Sequence, residues 1–248
     1  MPWNLQGDLT RYSLLILPNF AVLESEVKAK LLDYVEKGGT LIVYGTDTFM
    51  HFKEELKIKE CAYCDENQTA NVSAKNMRAY IKKGYLRVKS IAEVCSLMNE
   101  NTPKGQELPA LLRSKYGKGE ILGIPFNFGM AYDVERNVCL REFLAEAMQG
   151  IDFKLRVCGS HYVDPALMSK NGKTYIHLLN THGEHRTLGI QTYDEIPSIY
   201  NVCIEYKTDK RPETVRLLPE NIALPFTYEN GVVKTVVEKL EIHSAIEL

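Results

Sequence analysis

The chain lacks an excess of charge of either sign. Its 30 Lys and Arg stand against 32 Asp and Glu, a net charge of −2 with histidine neutral. No overall field therefore favours nucleic acid or an anionic membrane, and no basic run with interleaved aromatics appears. Long hydrophobic runs are missing as well. The apolar stretch 14–18 falls far short of the roughly 20 residues a membrane helix needs. The opening MPWNLQGDLTRY has no basic n-region, apolar core or cleavage site, so it does not read as a signal peptide. The expected location is cytoplasmic, and it is left unassigned if the chain is a piece of a longer secreted enzyme. The six cysteines, Cys61, Cys64, Cys95, Cys139, Cys158 and Cys203, are scattered through mostly apolar patterns, which suits reduced thiols. Cys61-Ala62-Tyr63-Cys64 has no second CxxC or HxxxH to complete four zinc ligands. Its setting reads as a polar loop, not the strand-to-helix turn of a redox motif. Gly117-Lys118-Gly119 lacks the rest of a phosphate-binding pattern. No metal and no cofactor are expected.

What remains is an ordinary globular composition, 45% hydrophobic and 25% charged over 248 residues, enough for one large core or two small ones. Residues 13–17 are a short apolar run ended by Pro18-Asn19. Val27, Leu31, Tyr34 and Val35 recur at helical spacing, and Gly38-Gly39 stops that helix. Residues 40–44 are a second apolar strand, ending at Gly45-Thr46-Asp47. Two buried strands joined by a helix predict a parallel βαβ unit. Beyond it the pattern predicts a short helix within 49–60, a polar loop over 61–75 and a strand at 85–88. Ser90, with Glu93 three residues on, predicts a capped helix over 91–98. Residues 109–114 and 120–126 read as a hairpin around Gly117 and Gly119. Asp133 precedes a helix over 134–149 with Leu140, Phe143, Leu144 and Ala147 as its stripe.

From Ile151 on, helical periodicity fades. Residues 162–169 and 174–180 flank Asn171-Gly172, a strong hairpin signal. Further strands are expected at 200–206, 214–218, 224–228 and 232–237, the last after Asn230-Gly231. Residues 240–248 alternate cleanly and read as one half-buried strand. Short strands punctuated by Gly, Pro and Asn predict a small antiparallel β-sandwich. The expected domains are 1–151 and 152–248.

The order YSLLILPN, a helix ending DYVEKGGTLIVYG, then ALLRSKYGKGEILGIPF resembles a class I glutamine amidotransferase-like domain. More narrowly, it resembles the non-catalytic version in glycoside hydrolases, the β-galactosidase trimerisation domain, which follows a catalytic barrel. KNGKTYIHLLN, NVCIEY, TVRLLP and LEIHSAIEL resemble the small β-sandwich that closes such enzymes. The resemblance implies a flavodoxin-like α/β domain plus an antiparallel β-sandwich. It implies an oligomerising or accessory module with no reaction of its own. Its partners would be itself, as trimer or dimer, or a catalytic barrel, with carbohydrate as a further ligand and no nucleic acid or membrane. The barrel that carries a glycosidase's two carboxylates is not in this sequence. The segment that usually precedes 12–18 in the family is also reduced to MPWNLQGDLTR. That marks either a trimmed fragment or a reduced protein that covers a sheet edge by self-association. A carbohydrate-binding module and a degenerate amidotransferase-like hydrolase are the alternatives.

The resemblance places a nucleophile elbow at Tyr44-Gly45-Thr46-Asp47-Thr48. Thr46 stands where active members carry an activated cysteine, so no catalytic residue is expected. His182-Gly183-Glu184 echoes the His-x-Glu of such a triad but falls in the second half, where a polar loop explains it. Phe126, Phe128 and Tyr132, with Trp3 and Phe20, are candidates for sugar or interface contact, because α/β crevices open at strand ends. Core packing competes with that reading.

Overall fold

The computed structural model describes residues 7–65, 67–81, 84–103, 105–183 and 195–248. The chain divides into two compact units, Met1–Asp152 and Phe153–Leu248. In chain order the first unit contains β1 (Leu14–Leu17), α1 (Ser25–Glu36), β2 (Thr40–Tyr44), α2 (Thr46–His51), β3 (Ile58–Cys64) and β4 (Ala70–Ala74). Then come β5 (Met77–Ile81), β6 (Tyr85–Ser90), β7 (Glu93–Glu100), β8 (Glu107–Tyr116), β9 (Gly119–Ile124), α3 (Phe128–Glu135) and α4 (Val138–Ala147).

Seven strands form one sheet in the order β1-β2-β9-β8-β7-β4-β5, and β3 pairs with β6 in a separate ribbon. β1, β2 and β9 run parallel; every later neighbour is antiparallel. Side-chain alternation along β2 feeds two cores. Leu41 and Val43 join Val27, Leu31, Tyr34 and Val35 of α1 on one face. Ile42 joins Leu140, Phe143 and Ala147 of α4 on the other.

This arrangement corrects the flavodoxin-like, amidotransferase-like expectation for the first unit. The protein is mostly strand, and only β1, β2 and β9 show the parallel pairing of an α/β fold. Between β2 and β9 the chain forms only the six-residue helix α2 among the described residues and then builds β3 to β8. The polar loop expected over 61–75 contains the end of β3 and all of β4. The helix expected over 91–98 is β7. There the ladder with β8 slips between Val94 and Ser96 and again between Ser96 and Leu97. Such bulges break two-residue alternation and leave apolar spacings that imitate a helix. Ser90 does act locally, since its Oγ accepts from Ala92 N–H at 2.9 Å, but the turn it stabilises leads into a strand. The helix expected over 134–149 is two helices. Arg136 adopts φ +43 and ends α3, and the Asn137 side chain caps α4 by accepting from Cys139 N–H at 2.8 Å.

The second unit contains β10 (Leu155–Cys158), β11 (Val163–Lys170), β12 (Lys173–Asn180), β13 (Ile199–Lys207), β14 (Arg216–Leu218), β15 (Ile222–Ala223), β16 (Phe226–Glu229), β17 (Val232–Leu240) and β18 (His243–Glu247). They make two antiparallel sheets, β10-β13-β17-β16 and β11-β12-β18-β14-β15. Both contribute to one core that includes Ile176, Leu178, Val202, Ile204, Val237 and Ile246. Asn171-Gly172 and Asn230-Gly231 both take positive φ at both residues, the geometry of a tight two-residue hairpin turn. The single strand expected over 240–248 is instead the end of β17, a turn at Glu241-Ile242, and β18. Ile242 sits in that turn, 58% exposed. No helix among the described residues is long and apolar enough to cross a membrane.

Candidate functional site

The elbow forms as a strand-to-helix turn, and its own neighbours fill it. β2 ends at Tyr44, Gly45 takes φ +97, and Thr46 opens α2. A side chain on Gly45 would be strained by that φ, and its Cβ would sit 2.3 Å from Asn19 Cβ. Gly45 N–H donates to Phe126 O at 3.0 Å. Asn19 Oδ1 accepts from Asp47 N–H at 2.9 Å and from Thr48 N–H at 3.4 Å, and Asn19 Nδ2 donates to Asp47 Oδ2 at 2.9 Å. The buried Thr48 hydroxyl donates to Pro18 O and accepts from Phe20 N–H, both at 2.7 Å. The amides at the start of α2 thus serve the loop after β1, whereas an oxyanion site needs such donors free. Thr46 itself is half-buried, on a turn where the Gly45, Asp47 and Thr48 amides already have acceptors. His182 lies in the second unit, where its N–H donates to Asn180 Oδ1 at 3.0 Å and its ring meets Tyr162 edge-on at 4.3 Å. Glu184 and Trp3 lie outside the described residues.

Phe126, Phe128 and Tyr132 come together, and they do so as packing. Phe126 is fully buried and Phe128 is 7% exposed. Phe126 packs at 5.9 Å from Phe143 of α4, Phe128 stacks on Tyr132 at 6.4 Å, and Tyr44 meets Phe128 edge-on at 6.0 Å. These are favourable aromatic separations. Tyr132 is the half-buried member. A sugar ring needs an open aromatic face, and Phe126 offers none in this arrangement.

Sequence reasoning missed a buried carboxylate. Glu100, at the end of β7, is 5% exposed. Its Oε1 accepts from Arg87 Nε at 2.6 Å and from the Tyr85 hydroxyl at 2.7 Å. Burial pushes its carboxyl up, but the bonds from Arg87 and Tyr85 and the Arg87 charge outweigh that and hold it below the usual range. Tyr85 is pushed up, by burial first and the bond to Glu100 second. All three groups answer one another, so the set reads as a structural lock. Cys64 packs in the core beside this set, while Cys61 packs against the opposite cluster. The CxxC therefore lies on β3 with its two thiols directed to different cores. Among the described residues no group of three or more His, Cys, Asp and Glu could hold a metal.

The surface that stands out is the β1 edge. Among the described residues β1 pairs only with β2 and ends the sheet. Leu14, Leu15 and Leu17 stay half-buried and Ile16 is 44% exposed. The loop that follows, pinned to α2 by Asn19 and Thr48, adds exposed Phe20 and Val22, and Tyr12 is exposed just before the strand. An edge strand with apolar residues and, among the described residues, no covering strand is a ready site for pairing with another chain. The sequence signal was Phe20-Ala21-Val22, apolar residues continuing past the Pro18-Asn19 stop where a polar loop is the rule.

A family model, the β-galactosidase trimerisation domain, matches residues 3–48. That stretch takes in β1, α1, β2, the elbow and the exposed edge. No curated protein matches the chain in sequence. Among solved structures it is similar to α-L-fucosidase isoenzyme 2 from Paenibacillus thiaminolyticus, with TM-score 0.77 and 16% identity over 98% of this chain and 41% of that one. It is similar to Gan42B, a GH42 β-galactosidase from G. stearothermophilus, with TM-score 0.61 and 17% identity over 98% of this chain and 33% of that one. It is also similar to the β-galactosidase from Bacillus circulans sp. alkalophilus, with TM-score 0.61 and 14% identity over 98% of this chain and 34% of that one. The chain spans about two fifths of the fucosidase and about a third of each galactosidase. In fold, then, it corresponds to a region of these glycoside hydrolases.

Proposed function

We propose that the chain is an accessory, non-catalytic assembly module of a β-galactosidase-like glycoside hydrolase, and that the β1 edge is where one copy meets the next. The observation that carries this reading is the coincidence of two features. The trimerisation-domain match ends at residue 48, and the same segment presents Ile16, Phe20 and Val22 outward at the open end of the sheet. Apolar side chains and unpaired strand backbone together supply what a symmetric interface needs, area to bury and hydrogen bonds to direct it. In this reading Thr46 is chemically inert, and Phe126 and Phe128 act from within by setting the shape of the unit. Tyr132 is the aromatic residue left for contact with a neighbouring chain or a sugar.

Light scattering after size exclusion, over a range of concentrations, tests it. The expected result is a trimer or dimer. An Ile16→Asp, Phe20→Asp double variant should raise the dissociation midpoint by about 10²–10³-fold, since losing interface anchors commonly costs about 2 kcal/mol each, about 4 kcal/mol for the two. Both residues are part-exposed, so the unfolding midpoint of the dissociated variant should stay near that of the parent. A parent chain that is monomeric at every concentration overturns the assembly reading. Binding of that monomer to a glycan array would then favour a carbohydrate-binding module.

A further inference from the structure

Cys158 and Cys203 stand directly opposite each other in the antiparallel pair β10 and β13. Both are exposed and both are free thiols. Alternation puts their side chains on one face of the sheet: Leu155 and Val157 of β10 and Val202 and Ile204 of β13 point into the core, and the cysteines between or beside them point out. The other cysteines lack this arrangement. Cys64 and Cys139 are buried, Cys61 is half-buried, and Cys95 is exposed but sits at the slip in β7, where it faces no residue of β8.

The register sets the geometry of the pair. Lys207 N–H donates to Lys154 O at 2.9 Å, and bonded pairs alternate along an antiparallel ladder, so Cys158 and Cys203 fall at a hydrogen-bonded position. Directly opposite Cα atoms there lie about 5.5 Å apart, inside the range of about 4.4–6.8 Å that a disulfide spans. Opposed Cβ atoms lie about 4.5–5.5 Å apart, wider than the roughly 3.8 Å of a relaxed disulfide. Closing the bond must draw the strands together. Slack for that is at hand: Asn201, with φ +55, and Glu238 opposite it interrupt the pairing of β13 with β17 without shifting its register, and Gly159, with φ +113, follows Cys158. A bond closed against such resistance, on an exposed face, is readily reduced again.

We propose that Cys158 and Cys203 are an oxidation site, a cross-strand dithiol closed by a low-molecular-weight disulfide and reopened by a thiol. One cysteine, as thiolate, attacks a sulfur of the small disulfide. It forms a mixed disulfide and expels one small thiolate, which takes up the proton released. The opposite cysteine, as thiolate, then attacks the protein-bound sulfur and expels the second small thiolate, which is protonated likewise. Two protein thiols are oxidised to one disulfide and one small disulfide is reduced to two thiols. The closed bond ties the first strand of the second unit to its neighbour across a long loop.

The test uses the full chain and oxidised glutathione, followed by alkylation, digestion and mass spectrometry. The expected product links Cys158 to Cys203, while Cys95 under the same conditions carries a single glutathione or is alkylated. Cys158→Ser should trap Cys203 as a stable glutathione adduct, and Cys203→Ser should do the same for Cys158; both sites are exposed, so neither change opens the core. Oxidation should raise the thermal midpoint of the second unit by about 10 °C or less, as cross-linking a long loop does less than its full entropic gain when strain opposes it. Dithiothreitol should reverse the shift, and neither Ser variant should show it. Cys158 and Cys203 both remaining alkylatable, or both carrying glutathione, at oxidant levels that modify Cys95 would overturn the proposal.

Discussion

Replacing Phe126 by Ala is expected to lower the stability of the first unit by about 3–5 kcal/mol, the usual loss when a fully buried phenylalanine is emptied from a close-packed core. The ring is 0% exposed and packs against Phe128 and Phe143. Nothing beside it is free to collapse cheaply, because the sheet holds one side and α4 the other. Urea unfolding should show the loss as a lower midpoint with an unchanged slope. Tyr132→Ala should cost less, because that ring is half-buried. The pair of variants separates packing from recognition. If Phe126 instead served an open binding face, its removal would leave the midpoint nearly unmoved and change only ligand or subunit affinity. A shift under about 1 kcal/mol would therefore contradict the core assignment.

The Glu100 lock should give the second large effect. Glu100→Ala leaves the Tyr85 hydroxyl buried without its acceptor and Arg87 without its counter-charge. Removing one partner of a buried ion pair costs about 3–5 kcal/mol. The Arg87 side chain is 37% exposed, and solvent softens its share, so about 2–3 kcal/mol is expected here. The pH dependence has a definite sign. The folded carboxyl titrates below its ordinary value of 4.5. Its contribution is therefore complete above that value and is lost as pH falls through the lower, folded one. Glu100→Gln keeps the shape and an acceptor but removes the charge, so its stability should vary less with pH over that acid window. Unfolding midpoints of parent and variant, compared from about pH 6 downward, check this. Parallel curves would show that Glu100 takes no part in acid unfolding.

Much of the local structure is legible in the residues. Val27, Leu31, Tyr34 and Val35 mark α1 because one face of a helix must be apolar to pack. Asn171-Gly172 and Asn230-Gly231 mark hairpins because both residues of each pair tolerate positive φ. Failures came where pairing between distant strands overrode local pattern. In β7, slips opposite β8 gave helical spacing to a strand. In 240–248, alternation ran on through a turn, because β17 and β18 enter different sheets yet feed one core.

The site divides the same way. The sequence by itself determined that Gly45 opens a turn after an apolar strand, and that a threonine, Thr46, and not a cysteine follows it. It also determined the apolar residues of 14–22, which lie within the trimerisation-domain match. Only the tertiary structure decided that the turn's amides are taken by Asn19, twenty-eight residues from Asp47 in the chain. Only it turned Phe126 inward, joined Glu100 to Arg87 and Tyr85, and set Cys158 against Cys203. Hydrophobic periodicity is a property of neighbours along the chain, readable residue by residue. Which polar group meets which across a sheet depends on strand order and register, and these are settled only when the whole unit packs.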